Sequence, residues 1–101
     1  MRLSSEQMDV IKENLLLRGQ DVRINIALEE MAELTQALMK YKRGEDNMQD
    51  IIEEIADCFV VLEGLKPTLN LDDSDIQEMV DSKIARLHMR NQKTKEGNVV
   101  K

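Results

Sequence analysis

The sequence contains few helix-breaking residues and almost no aromatic side chains. Its 101 residues include one proline, four glycines, one tyrosine, one phenylalanine and no tryptophan. So few turn-forming residues exclude an all-β fold, in which every short strand needs a turn. Because aromatic residues are nearly absent, we expect leucine, isoleucine, valine and the seven methionines to fill the core.

Cysteine and long apolar runs are equally scarce. The single cysteine, Cys58, rules out a disulfide within the chain and suits a reducing compartment. No segment approaches the roughly 18 apolar residues of a membrane span, and the first residues contain no apolar signal core. We therefore expect a cytoplasmic protein that does not enter the membrane, with Cys58 as a small core residue.

Positive charge is in the minority. The chain has 14 lysines and arginines against 20 aspartates and glutamates, which gives a net charge of -6. This excess argues against binding of nucleic acid through its phosphates and suggests that bound cations neutralise part of the acidic charge. A chain of this length is expected to form one domain, residues 1–101, whose small core favours burial against a second copy.

Helix-start and helix-stop residues divide the chain into four predicted helices. Serine or aspartate caps precede the first and fourth, glycines follow the first and second, and a proline ends the third. The predicted limits are Ser4 or Ser5 to Gly19, Gln20 to Arg43, Asn47 or Met48 to just before Pro67, and Asp73 or Ser74 to about Lys93. Residues 94–101 are predicted to be a frayed tail. The fold class is therefore all-α, resembling a four-helix bundle.

Two acidic clusters interrupt the apolar faces of the second and third helices. They are Glu29-Glu30-x-x-Glu33 and Glu53-Glu54-x-x-Asp57. At roughly 100° per residue, Glu30 and Glu54 fall inside apolar arcs, with Glu33 and Asp57 at the edges. The arcs consist of Ile26, Ala27, Leu34, Ala37, Leu38 and Tyr41, and of Ile51, Ile55, Cys58, Val61, Leu62 and Leu65.

Carboxylates on apolar faces predict a partner of opposite charge. An ionised carboxylate in such a place is costly unless it is paired or bound to a cation. A single Glu-x-x-Glu is typical of a solvated helix surface, but the doubled pattern predicts a metal site. Its predicted ligands are Glu30, Glu33, Glu54 and Asp57. Because all of them offer oxygen, the site favours Mg²⁺, or Mn²⁺, over zinc.

The fourth helix carries cations where the other two carry carboxylates. Lys83 lies inside its apolar side, and Arg86 and Arg90 lie close by. The apolar members of that side are Ile76, Val80, Ile84 and Leu87. Lys83 is predicted to bind substrate phosphate and to stabilise the leaving group, with Arg86 and Arg90 as further phosphate ligands. The alternative is that these cations cover apolar surface with their aliphatic stems.

The other polar residues are weaker candidates. Glu29 and Glu53 lie toward polar faces, and Glu53 is the better candidate to orient an attacking water as a catalytic residue. Lys40, Lys42 and Arg43 form a group of cations that is typical of a helix end, with phosphate binding in a neighbouring subunit as the alternative. The only histidine, His88, is interpreted as a surface residue.

The spacing of the acidic clusters resembles that of a known family, the MazG-like all-α nucleoside triphosphate pyrophosphohydrolases. The family signature is Glu-Glu-x-x-Glu followed, after one to three dozen residues, by Glu-x-x-Asp. Here Glu29-Glu30-x-x-Glu33 is followed, after twenty residues, by Glu54-x-x-Asp57. The chain differs from some relatives because it has only two aromatic residues and no tryptophan to stack on a base.

The resemblance, which extends from about Arg23 to Arg90, implies a MazG-like fold and a hydrolase activity. The implied reaction is Mg²⁺-dependent cleavage of a nucleoside triphosphate, NTP or dNTP, to the monophosphate and pyrophosphate. The resemblance also implies the same four carboxylates as metal ligands and a basic residue of the last helix, Lys83 or Arg86, near the phosphates. Assembly as a homodimer or homotetramer is implied as well.

Two other interpretations of the pattern stay open. In one, the protein is a non-catalytic metal-binding helical module with a regulatory or interaction role. In the other, it is a plain bundle whose carboxylates pair with Lys83 and Arg86 and bind no metal. Binding of Mg²⁺ or Mn²⁺ near millimolar concentration would exclude the plain bundle, and turnover would exclude the non-catalytic module.

Overall fold

The computed structural model describes residues 1–97 and forms four α-helices. They are α1, Ser5–Arg18; α2, Gln20–Lys42; α3, Met48–Thr68; and α4, Asp73–Lys95. No strand occurs within residues 1–97, so the all-α fold class is confirmed. Over the same range, none of the helices has an apolar stretch long enough to cross a membrane.

Side-chain caps fix the starts of α1 and α4. The Ser4 hydroxyl accepts a hydrogen bond from the Gln7 backbone N–H at 3.1 Å, and the Gln7 side chain accepts one from the Ser4 N–H at 2.9 Å. This reciprocal pair is a capping box. At α4 the cap is Asp72, rather than Asp73 or Ser74, because its carboxylate accepts from the Ser74 N–H at 3.0 Å.

One predicted helix end is wrong. Helix α3 continues through Pro67 and ends at Thr68, because a proline in the last turn removes only one backbone donor. Helix α4 ends at Lys95, within two residues of its predicted end at about Lys93, and the frayed tail stays a prediction. Residues 98–101 of that predicted tail lie outside the described residues.

The described chain divides by its internal contacts into two compact units. The first, Met1–Asn70, contains α1, α2 and α3, and the second begins at Leu71 and contains α4. Within the first unit, α3 packs against both α1 and α2. The single domain over residues 1–101 stays a prediction.

Two contacts set the register of α2 and α3. The Asn47 side-chain amide, at the start of α3, donates to the Ala37 carbonyl at 3.0 Å. Further along α3, the Cys58 thiol donates to the Glu30 carbonyl at 3.3 Å. Residue numbers rise on α3 as they fall on α2, so the two helices form an antiparallel hairpin.

The core of the first unit is small and consists of short side chains. Its buried apolar residues are Ile11, Ala27, Ala37, Ile51, Cys58 and Val61. The expectation that methionines fill the core is wrong, since no methionine within residues 1–97 is buried. Alanines at the contact between α2 and α3 allow the backbones to approach closely, which leaves little space for longer side chains.

Only part of each predicted apolar arc is covered. On α3, Ile51, Cys58 and Val61 are buried, whereas Ile55 is 43% exposed and Leu62 is 50% exposed. Two α2 members of the predicted arc are also exposed, namely Leu38 and Tyr41. The helices meet along a narrow line of small residues, so the members at the edge of each arc stay uncovered.

A buried arginine links α1 to the hairpin. Arg23 on α2 is 9% exposed, and its guanidinium donates to the Asn14 side chain on α1 at 3.1 Å. Gly64 on α3 makes room for it, because a Cβ atom at that position would lie 2.8 Å from Arg23 Nη2. The absence of a side chain at Gly64 therefore lets the cation lie between the three helices.

We expect Ser4→Ala to lower the free energy of unfolding by about 1 kcal/mol, because the first turn of α1 loses its side-chain acceptor. Urea denaturation of the full chain measures this change. Ser5→Ala is the matched control, since the Ser5 side chain does not form the capping box. Equal stabilities of the two variants would contradict the assignment of the cap.

Candidate metal centre

Carboxylates from the two acidic clusters meet at the contact between α2 and α3. The side chains of Glu30, Glu33 and Glu54 each place one oxygen within 4.8 Å of the others. Because Glu30 and Glu33 are one turn apart on α2, they lie on the same side of that helix. The antiparallel hairpin then brings Glu54 of α3 opposite to them.

The burial of these side chains follows the pattern predicted from the sequence. Glu30 and Glu54 are half-buried, and Glu33 and Asp57 are exposed. One oxygen of Glu30 and one oxygen of Glu54, Oε2 in each case, are buried and have no hydrogen-bond partner among the described residues. A buried acceptor without a partner is costly, most of all when it is charged.

The carboxylates raise one another's pKa. Burial, followed by the negative charges of Asp57, Glu33 and Glu54, raises the pKa of Glu30 above its ordinary value. Burial also raises the pKa of Glu54, and the charges of Glu33 and Asp57 raise it further. Although Asp57 is not one of the three residues whose oxygens converge, its charge acts on both half-buried carboxyls. The negative charges therefore favour protonation of Glu30 and Glu54 in the folded protein.

Cys58 holds the two helices together next to the carboxylates. Its buried thiol donates to the Glu30 backbone carbonyl at 3.3 Å, directly beneath one of the acidic side chains. Burial and the negative charge of Glu30 raise the pKa of this thiol, which keeps it protonated and able to donate. The interpretation of Cys58 as a small core residue is confirmed.

A surface hollow of about 380 Å³ opens beside Glu33 and Glu54. Its other lining residues are Gln36, Ala37, Lys40, Asn47 and Asp50. The hollow is wide enough for part of a small polar ligand next to the carboxylates. It also places a cation and an amide beside the acidic side chains.

Sequence reasoning missed two residues of this hollow. Lys40 follows Glu33 by seven residues and Asn47 precedes Glu54 by seven, so each lies two turns away on the same side of its helix. The oxygen of the Asn47 side chain is buried and without a partner among the described residues. The sequence interpretation gives Lys40 as a helix-end cation that could reach phosphates of a neighbouring subunit, and its spacing from Glu33 is the signal that places it beside the carboxylates of its own chain.

Glu53 and its counterpart Glu29 do not belong to this group of converging oxygens. Glu29 and Glu53 are exposed on the polar sides of α2 and α3, as expected. The predicted phosphate ligands Lys83, Arg86 and Arg90 are exposed on α4, in the second unit. Their position relative to the carboxylates stays a prediction.

Comparisons of the chain with protein-family models, with curated proteins and with solved structures gave no match. The family resemblance therefore depends on the two acidic motifs. The structure adds the convergence of three of their carboxylates and the burial of two unpartnered oxygens.

We expect the metal-free protein to become less stable as the pH rises through the weakly acidic range. An unfolded glutamate has a pKa of 4.5, and that of Glu54 is raised in the folded state. Between these two values the folded state binds more protons than the unfolded state, so the free energy of unfolding falls with rising pH. Thermal melts in a chelating buffer between about pH 5 and pH 8 measure this slope.

Glu54→Gln should reduce the slope of stability against pH, because the glutamine amide does not titrate in this range. At neutral pH this variant should be at least as stable as the metal-free wild type. Glu29→Gln, on the exposed side of α2, is the matched control and should keep the wild-type slope. If Glu54→Gln strongly destabilises the metal-free protein, then the carboxylate is paired with a cation instead.

Proposed function

We propose that this protein is a Mg²⁺-dependent nucleoside triphosphate pyrophosphohydrolase with a MazG-like fold. The reaction would convert an NTP or dNTP to the monophosphate and pyrophosphate. The observation that carries the proposal is the convergence of Glu30, Glu33 and Glu54 within 4.8 Å, with buried oxygens that have no partner among the described residues. The intact pair of acidic motifs supports an enzyme over a non-catalytic module.

The residues present fit a magnesium ion. All candidate ligands offer hard carboxylate oxygens, which Mg²⁺ and Mn²⁺ prefer, and the unpartnered oxygens of Glu30 and Glu54 need a cation. The ligands would be Glu30, Glu33, Glu54 and Asp57. When bound, the metal would neutralise phosphate charge and lower the pKa of a coordinated water.

The chain itself would supply a base and cations for the triphosphate. Glu53, next to Glu54 and open to solvent, would orient the attacking water and accept its proton. Lys83 would stabilise the negative charge that develops on the leaving pyrophosphate. Arg86 and Arg90 would bind phosphate oxygens as bidentate donors.

Lys40 is a further candidate for phosphate binding. It lines the hollow beside Glu33 and Glu54 within the first unit, so its position does not depend on α4. A triphosphate bound against the carboxylates would add negative charge, and the Lys40 ammonium group in the same hollow would offset part of it. Its presence in the hollow supports an anionic ligand that lies against the acidic centre.

We expect the wild-type protein to release pyrophosphate from at least one triphosphate when Mg²⁺ is present, and Glu54→Gln or Glu30→Gln to abolish this release. Mg²⁺ should also raise the melting temperature of the wild type, because it binds the folded state only; at 100 times the Kd the gain is about 2.7 kcal/mol. A panel of canonical and damaged triphosphates, with colorimetric detection of pyrophosphate, is the assay.

Glu29→Gln is the control for both measurements, since it removes an exposed carboxylate of the same motif. It should keep the Mg²⁺-dependent rise in melting temperature. If the wild type gains no stability from Mg²⁺ or Mn²⁺ at millimolar concentration, the metal site is refuted. If it gains stability but hydrolyses no triphosphate, the protein is the non-catalytic metal-binding module.

We expect Lys83→Ala to lower kcat/KM while the melting temperature changes little. Lys83 is exposed on α4, and truncation of an exposed side chain usually changes stability by less than about 0.5 kcal/mol. Steady-state kinetics and thermal melts of the same preparations separate the two effects. Lys93→Ala, on the same helix, is the control. An unchanged kcat/KM with a lowered melting temperature would assign Lys83 to structure.

A further inference from the structure

Helix α4 and its cap carry their charges in two blocks of opposite sign. Every charged residue from 72 to 81 is acidic, and every charged residue from 83 to 95 is basic. The acidic block is Asp72, Asp73, Asp75, Glu78 and Asp81, and the basic block is Lys83, Arg86, Arg90, Lys93 and Lys95. The helix dipole favours such an order only in the first and last turns, whereas Asp81 and Lys83 lie in the middle.

An apolar stripe runs along the same helix. We define the α4 stripe as Ile76, Met79, Val80, Ile84 and Leu87, which recur at spacings of three and four residues. Lys83 lies on the same side of the helix, where its aliphatic stem can cover apolar surface while its ammonium group reaches solvent. Ile76 is half-buried, and the other four are between 45% and 60% exposed. None of the residues of α4 is buried. A single helix with an uncovered apolar side is marginally stable in water and gains from a partner.

Charges of like sign are neighbours along one edge of the stripe. Arg86 and Arg90 are four residues apart, so they meet on one side of the helix. Like charges at this spacing destabilise a single helix. Asp75 and the cap residue Asp72 both line a hollow beside the stripe, together with Ile76 and Val80. An occupant of the stripe that places acids beside the arginines, and bases beside the aspartates, would offset both groups of like charge.

We propose that the α4 stripe is a docking surface for α4 of a second copy of this chain, in an antiparallel arrangement. A two-fold axis near Ser82 would set Ile76 opposite Leu87 of the second copy, and Val80 opposite Ile84. Since a two-fold contact repeats every pair, all four of these side chains would be covered in both copies.

The same register brings opposite charges together. In an antiparallel helix pair, one edge of the first helix faces the same edge of the second, so Asp75 lies near Arg86 of the second copy and Asp72 lies near Arg90. A parallel pair would instead set the acidic blocks against each other and the basic blocks against each other. The order of charges therefore selects the antiparallel arrangement.

This pairing uses neither the carboxylate centre nor turnover, but it shares Arg86 and Arg90 with the proposed phosphate contacts, so assembly is measured without nucleotide. The test measures assembly alone, so its failure leaves the pyrophosphohydrolase proposal unaffected. Two charge-reversed full-length variants are needed, Asp75→Arg and Arg86→Glu. Glu78→Arg is the matched control, since Glu78 belongs to the same acidic block but lies on the opposite side of α4 from the stripe.

Sedimentation velocity and native mass spectrometry at micromolar concentration should show self-association for the wild type and for Glu78→Arg. Each reversed variant alone should associate at least about tenfold more weakly. Asp75→Arg sets an arginine opposite Arg86 of the second copy, and Arg86→Glu sets a glutamate opposite Asp75. The two-fold contact repeats each of these repulsive pairs. A mixture of Asp75→Arg and Arg86→Glu should restore wild-type affinity as a mixed pair, which also shows that both variants fold. Circular dichroism confirms equal helix content.

Three outcomes would overturn the pairing. A monomeric wild type would show that the stripe does not bind a second copy. Wild-type association of both reversed variants would place the contact between copies elsewhere on the chain. Weak association of each variant that mixing does not restore would show that Asp75 and Arg86 do not face each other.

Discussion

Mutual repulsion among the carboxylates of α2 and α3 is the constraint on which the first unit depends. Two of them are half-buried, and each has an oxygen without a partner among the described residues. The surrounding structure holds them together through short side chains and through the bond from the Cys58 thiol to the Glu30 carbonyl. If the proposed cation binds the folded state here, its binding would offset this repulsion and stabilise the unit.

The buried cation of the first unit, Arg23, does not lie beside these carboxylates. Arg23 lies two turns before Glu30 on α2, beside Gly64 rather than beside the acidic side chains. Its guanidinium is held by Asn14 of α1, so it packs the three helices and does not neutralise the carboxylates. If Arg23 were one or two turns later in α2, an internal ion pair could take the place of the proposed metal. The buried guanidinium and the half-buried carboxylates are instead separated along the hairpin.

Features set by nearby residues could be predicted from the sequence, and features set by packing could not. The capping box at Ser4 and the half-burial of Glu30 and Glu54 follow from spacing along one helix. The exposure of Ile55 depends on how narrowly α2 meets α3, which the spacing of apolar residues does not determine. The position of Lys40 beside Glu33 and Glu54 could not be predicted for the same reason, because it depends on the register between α2 and α3. Pro67 shows that a local rule can also fail at the end of a helix.

The two units use charge in different ways. The entire net charge of -6 lies in residues 1–70, which have 14 acids and 8 bases, whereas residues 71–101 have 6 of each. Like charges converge in the first unit, which is the basis of the proposed metal site. In α4 the charges are balanced but separated along the helix, which is the basis of the proposed pairing with a reversed copy of the same helix. Composition gives only the sum of the charges, whereas both proposals depend on the position of each charge along the chain.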